Sequence, residues 1–412
     1  MRDEMKKVPR LRFRGFQEDW ELCKFEKLTD FFSGLTYSPD NVQKDGTFVL
    51  RSSNVKDNAI VSADNVYVRN EVANSEHVQV GDVIVVVRNG SRSLIGKHAP
   101  INREMPNTVI GAFMTGLRSP SPKFLKALLD TQQFNVEIHK NLGATINQIT
   151  TGEFKRMHFT VPTDEDEKEK IGSLFRQLDD IIALHQRKLD QLKELKKAYL
   201  QVMFPAKDER VPKVRFADFE EEWELCKLNT IYKKIRNAFV GTATPYYVKE
   251  GNFYLESNNI KDGNINQNTK VFINDEFYEK QKDKWLETED IVMVQSGHVG
   301  HTAVIPKELN NTAAHALIMF QERKRETNPY FLNYQFLTDT SKRKLDMITT
   351  GNTIKHILAS EMKSFEVFVC ESAEENLISD FFRKLDDTIA LHQNKLEQLK
   401  DLKTSYLQNM FI

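Results

Sequence analysis

The sequence predicts an α+β protein in which two pseudo-repeated mixed α/β domains are joined by two long antiparallel coiled-coil helices. Three observations carry that prediction. The chain repeats itself, each copy contains short β-branched runs separated by Gly, Asn and Asp turns, and each copy closes on a long segment whose apolar residues recur about every 3.5 positions.

The repeat is direct. VPRLRFRGFQEDWELCK from Val8 returns as VPKVRFADFEEEWELCK from Val211, and LDDIIALHQRKLDQLK from Leu178 returns as LDDTIALHQNKLEQLK from Leu385. Between them LRSSNVKDNAI from Leu50 echoes LESNNIKDGNI from Leu255. GDVIVVV from Gly81 echoes EDIVMVQ from Glu289, and GATINQIT from Gly143 echoes GNTIKHIL from Gly351. The offset drifts only from 203 to 208, so two copies of one unit fill the chain.

Each copy starts on a lead-in segment rich in Phe and Trp. Strand-like runs follow, among them Val83 to Val87 and Ile291 to Val294, and then Pro122 and Pro329 stand where the first turn of a helix accepts proline. A further strand, MHFTVP or FEVFVC, precedes the long helix. Thr163 with Asp166, and Ser372 with Glu375, have the spacing of a capping box, and the acidic run from Asp164 suits the positive end of the helix dipole. The first long helix, taken from Glu165 to Phe204, spans roughly 60 Å at 1.5 Å per residue. Leu178, Ile182, His185, Leu189, Leu192, Leu195, Tyr199 and Val202 form its seam, and the second helix carries the matching set. These signals divide the chain into a first globular domain over 1–162, a long helix over 163–205, a second globular domain over 206–370 and a second long helix over 371–412. Antiparallel helices of this kind bring the two chain ends near each other and keep His185 and His392 apart.

Composition excludes several classes of function. A formal net charge of −1 rules out a uniformly basic coat but not a local basic face. No apolar run approaches the roughly 20 residues of a membrane span, and MRDEMKK lacks the apolar core of a signal peptide, so a cytoplasmic protein is expected. Cys23, Cys226 and Cys370 are too widely spaced for a metal knuckle, and the first two occupy matching places in WELCK, as small buried residues would. The pair His298 and His301 has no evident third ligand, so no metal is expected. Asn328-Pro329-Tyr330 lacks the second proline of an adenine-methyltransferase motif, and its repeat partner is SPKFL, which marks a helix start. Neither a glycine-rich cofactor loop nor a phosphate loop is evident.

The two long helices agree at most positions, whereas the globular domains agree only at the lead-in, turns and strand starts. Such a chain presents one surface twice and two different surfaces once each. In this order and with these motifs (RFxxFxxxW, WELCK, LDDxIALHQ) it resembles the specificity subunits of type I restriction-modification enzymes over essentially its whole length. The resemblance implies two target recognition domains, each reading one half of a bipartite double-stranded DNA site. It further implies that the helices set the spacing and dock two modification (methyltransferase) subunits, and through the complex the restriction (motor-nuclease) subunits. The chain would then be no enzyme itself and carry no cofactor, with S-adenosylmethionine, ATP and Mg held by partners. A fused methyltransferase/restriction enzyme and a coiled-coil scaffold without a nucleic-acid role are the alternatives.

Base reading needs donors and acceptors on loops flanked by phosphate-gripping groups. In the first domain these are Arg51, Ser53, Asn54 and Lys56; Arg88, Asn89, Ser91, Arg92 and Lys97; and Thr145, Asn147 and Gln148. In the second they are Ser257, Asn258 and Lys261; Gln295, Ser296 and His298; and Thr353, Lys355 and His356, with LTYSPDN and TATPYY as further loops. Partner docking is expected at Leu178, His185, Leu192 and Tyr199 and at Leu385, His392, Leu399 and Tyr406.

Overall fold

A computed structural model describes residues 8–142, 147–351 and 354–412. The chain divides into two compact units, Met1–Gln186 with Gln393–Ile412, and Arg187–His392, a division that cuts each long helix.

In the first unit the apolar run Val83–Val86 is buried on both faces and forms an inner strand of a four-stranded antiparallel sheet. Its order is Asp30–Ser33, Met114–Arg118, Val83–Val86, His98–Pro100. A second, mixed sheet has the order Thr108–Ile110, Thr47–Leu50, Val66–Val68, Val42–Gln43, with the first two strands parallel. The second unit repeats both sheets. One has the order Tyr232–Asn237, Leu317–Arg323, Ile291–Val294, Thr302–Val304. The other has the order Ala313–Ala314, Asn252–Leu255, Val271–Ile273, Tyr247–Val248. The WELCK strands, Glu21–Lys24 and Glu224–Lys227, pair antiparallel with His158–Val161 and Glu366–Val369, bringing the lead-in beside the strand that feeds the long helix. Cys23 and Cys226 are buried there, as expected of small apolar residues.

Proline opens the helices Pro122–Leu129 and Pro329–Phe336, and in the second Asn328 accepts from the N–H groups of Tyr330 and Phe331. The long helices run over Glu165–Val202 and Ser372–Met410. Within each unit they pair antiparallel, and one polar contact recurs. Lys403 meets Asp179 at 2.6 Å in the first unit, and Lys196 meets Asp386 at 2.5 Å in the second. Both residues are displaced by 207, so the same Lys–Asp pair forms once per unit with the two helices exchanging roles. Aromatic packing seals each end: Phe411 stacks on Phe124 and Phe175 in the first core, and Phe204 on Phe331 and Phe382 in the second. In the first unit the lead-in is held against the second helix, where Leu11 N–H donates to Asn409 O at 2.8 Å.

Two details of the helix starts differ from the sequence reading. Asp164, not Thr163, caps the first helix, accepting from the N–H groups of Asp166 and Glu167. Ser372 already lies inside the second helix, and the Glu375 carboxylate accepts from the N–H groups of Asn328 and Cys370. The acidic first turn does more than complement a dipole. Fully buried Glu167 takes a two-pronged ion pair from Arg12 at 2.7 and 2.8 Å, and fully buried Glu374 takes the same pair from Arg215 at 2.6 and 2.8 Å. Each lead-in RF motif is thus an anchor for its own domain's helix. The seam also shifts: Leu195 is exposed and Lys196 occupies its place, because the Lys–Asp pair sits in the interface.

Candidate nucleic-acid interface

The three polar stretches read from the sequence converge in both domains. In the first, Asn89 Nδ2 donates to Ser52 Oγ at 3.1 Å, joining the RSSN loop to the RNGSR loop. Asn147 Nδ2 donates to Gly90 O at 3.0 Å, Arg88 and Gln148 form a β-bridge, and Ile149 N–H bonds Val87 O. The second domain makes the same junction with other side chains. His298 Nε2 lies 3.1 Å from Ser257 O, Gly297 N–H bonds Lys355 O, and Ser296 bridges His356. Thr145 and Thr353 lie outside the described residues.

Individual residues sort by exposure. Lys56, Arg88, Ser91, Arg92, Lys97, Asn258, Lys261, His298 and Lys355 are exposed; Arg51, Ser53, Asn89, Asn147, Gln148, Ser257, Gln295, Ser296 and His356 are half-buried. Asn54 is a correction: it is fully buried, and its amide is spent on Val61 O, Ala63 O and Asn65. Asn259 does the same work in the second domain, donating to Asn266 O and Thr269 O. Both are loop-building residues.

The loops of the first domain border an open cleft of about 740 Å³, lined by Arg51, Ser53, Asn89, Tyr37 and Phe113 among others. Gly111 lines the cleft where two chain segments cross: a Cβ on Gly34 would stand 2.0 Å from Gly111 O. Arg51 Nε and Ser53 Oγ are shielded from solvent and have no hydrogen-bond partner among the described residues. Phe113 is half exposed and lies under the Arg88 guanidinium, 5.0 Å from its ring centre.

In the second domain Tyr247 and His315 stand at the positions of Val42 and Gly111, two residues that line the first domain's cleft. Tyr246 stacks on Phe277 at 4.0 Å, and His315 stacks on Tyr254. Tyr247 donates to Glu256, and His315 Nδ1 lies 3.6 Å from the same carboxylate oxygen. The facing Glu256 carboxylate raises the His315 imidazole above its ordinary value, and His315 in turn lowers Glu256.

A family model described as the type I restriction modification DNA specificity domain matches the chain twice, over residues 17–194 and 220–401. The chain belongs to this family. Among curated relatives, the type I restriction enzyme EcoKI specificity subunit of Escherichia coli K12 is 21% identical over 420 residues, covering 96% of this chain and 89% of that one. The StySPI specificity subunit of Salmonella potsdam is 25% identical over 202 residues, and the alignment spans 42% of its length. The fold is also that of the S subunit of a type I restriction-modification system from M. genitalium, with a TM-score of 0.67 at 13% identity over 98% of this chain and 99% of that one. A chain from a study of assembly and conformational transition of the type I R-M system aligns with a TM-score of 0.52 at 14% identity, over 95% and 97%.

Within this specificity-domain chain, sequence reasoning missed Phe113, Glu256 and His315. For Phe113 a signal existed, a large apolar residue beside glycine in GAFMTG, a turn where burial is hard to achieve. Glu256 shows itself only when the repeat is aligned, opposite Arg51. Among the described residues no group of three or more His, Cys, Asp or Glu could hold a metal, and no helix is long and apolar enough to cross a membrane.

Proposed function

We propose that this chain is the DNA-reading subunit of a type I restriction-modification complex, in which each globular domain reads one half of a split double-stranded DNA site. One observation carries the reading: two domains with the same strand order bring the same three loops together, yet furnish them with different side chains. A shared scaffold with unlike polar loops is what two unlike half-sites require. Between residues 17 and 401 only 195–219 lies outside the matched segments, too short a stretch for a methyltransferase or nuclease domain. A scaffold without a nucleic-acid role leaves the unlike polar side chains at one shared loop junction unexplained. Methyl transfer, with S-adenosylmethionine, belongs to two modification subunits, and ATP- and Mg-dependent cleavage to restriction subunits.

The residues that meet modification subunits are not those of the seam. Leu178, Leu192, Leu385 and Leu399 are buried within the chain, and His185, Tyr199, His392 and Tyr406 are half-buried. Exposed leucines stand elsewhere: Leu184 and Leu402 in the first unit, Leu391 and Leu195 in the second. Leu184 with Leu391, and Leu195 with Leu402, are repeat-equivalent, so both units offer the same pair, as two identical partners would need.

The test is a map of methylated adenines in cells with and without this chain. A split motif lost on deletion is expected; an unchanged methylation pattern would sink the reading. Inserting about one heptad into a long helix should change the unread spacer but neither half-site.

A further inference from the structure

We propose that Arg51 and Glu256 are repeat-equivalent base readers of opposite hydrogen-bonding polarity, Arg51 donating to a guanine in one half-site and Glu256 accepting from an exocyclic base amine in the other. The proposal rests on the recognition function given above and deepens it.

The equivalence is geometric. Leu50 pairs with Ile110, and Leu255 with Ala314, at the same place in the two mixed sheets. The next residue opens a 3-10 turn in each domain, with φ −118° and ψ 173° at Arg51 and φ −114° and ψ 166° at Glu256. In both, its N–H donates to the turn asparagine, Asn54 or Asn259, at 3.0 Å. The backbone therefore launches both side chains in the same direction, into the region where the loops converge.

What they meet there differs in a complementary way. Arg51 lines the open cleft; among the described residues its guanidinium makes one hydrogen bond, a long one of 3.3 Å from Nη2 to Asp64 O. A guanidinium fork so placed is the commonest reader of guanine O6 and N7. Around Glu256, Tyr247 stands where the first domain has Val42, and His315 where it has Gly111. These two groups approach Oε1, fixing the carboxylate and leaving Oε2 as an acceptor. Cytosine N4 and adenine N6 are the base-edge amines that a carboxylate reads. Tyr247 and His315 hold the carboxylate in place, and a base amine would be the partner of its second oxygen.

The experiment uses the full chain in complex with its modification subunits and measures competition by duplexes carrying every single-base change in the methylated motif. Arg51→Gln should reduce discrimination about tenfold or more at one G·C pair of one half-site, leaving the other half-site unchanged. Glu256→Gln should do the same at one amine-bearing base of the other half-site only. Retained preference at every position, both variants acting on one half-site, or loss of binding with unchanged relative preferences would overturn the assignment. Should a variant not fold, the unaltered complex is read against 7-deazaguanine, N4,N4-dimethylcytosine and N6,N6-dimethyladenine placed singly. A tenfold loss at one deazaguanine in one half and one dimethylated amine in the other is expected, and uniform tolerance overturns the proposal. The dimethylated bases also tell cytosine from adenine. Absence of any split motif with the wild-type chain would remove the recognition function itself, an outcome distinct from a motif that ignores both residues.

Discussion

The two domains differ least where they hold the long helices and most where their loops converge. Arg12–Glu167 and Arg215–Glu374, Lys403–Asp179 and Lys196–Asp386, Asn54 and Asn259 are the same contacts made twice. Arg51 against Glu256, Val42 against Tyr247, and Gly111 against His315 are the same places filled differently. Contacts that fix the frame are repeated, and contacts that face outward are free to diverge. Even inside the frame one pair has parted. Asp82 is bound at 2.8 Å by both Nε and Nη2 of Arg118, whereas its counterpart Asp290 has Gln321 in the place of that arginine.

The largest effect should come from breaking the repeated anchors. Arg12→Ala strands the buried Glu167 carboxylate, and Arg215→Ala strands Glu374, each at about 3–5 kcal/mol. The second loss should be the smaller, because Trp223 Nε1 still donates to Glu374 at 3.1 Å, while Trp20 Nε1 makes no hydrogen bond among the described residues. Chemical unfolding of both variants checks the ranking; equal losses would show that the indole contributes nothing.

Next in size is a difference in acid response. Burial pushes the Asp290 carboxyl up to about 6, with Gln321 and a backbone N–H only partly opposing it, and burial likewise pushes Glu375 up to about 7. For both, the folded chain holds a proton that the unfolded chain has released, so this stability is complete below about pH 4 and lost as pH rises through 6 to 7. Asp130 behaves oppositely. Burial works to raise it, but the hydrogen bond from His98 and the charges of Lys126 and Lys403 hold it well below the usual carboxylate range. Its stability is present above about pH 4 and lost on further acidification. Gln321→Arg, which copies the first domain, should return about 3 kcal/mol at pH 7 at most and flatten the dependence between pH 4 and 6. An unaltered pH profile in that variant would show that Asp290 is not the group responsible.

Much of the frame was legible because it depends on periodic signals. Val83–Val86 and Ile291–Val294 announce inner strands, Pro122 and Pro329 announce helix starts, and the 3.5-residue seam announces the helix pair. The helix surfaces were read less well. A seam pattern shows which residues are apolar but not which of them stay exposed: Leu184 and Leu391 are left outside although they look like seam neighbours in the sequence. The convergence of three loops was legible as three clusters, not as one surface. Asn54 was misassigned because an amide in a turn serves a base edge or its own backbone equally well until the turn closes. Glu256 was passed over because acidic residues were not sought among DNA contacts.

The smallest effect sharpens the comparison most, because it separates base reading from phosphate gripping inside one domain. Arg88 and Lys97 are both exposed and both lie in the loop after Val83–Val86, but Arg88 is held over Phe113 while no ring among the described residues lies beneath Lys97. A guanidinium fixed on a ring is oriented for one base edge, and a mobile ammonium serves any phosphate. Arg88→Ala should weaken DNA binding by the complex by about 1–3 kcal/mol and relax one position of a single half-site. Lys97→Ala should weaken all sequences alike and lower the salt slope by about one ion. The same slope and the same sequence preference in both variants would place Arg88 with the phosphate contacts, leaving Arg51 to read that half-site from the cleft.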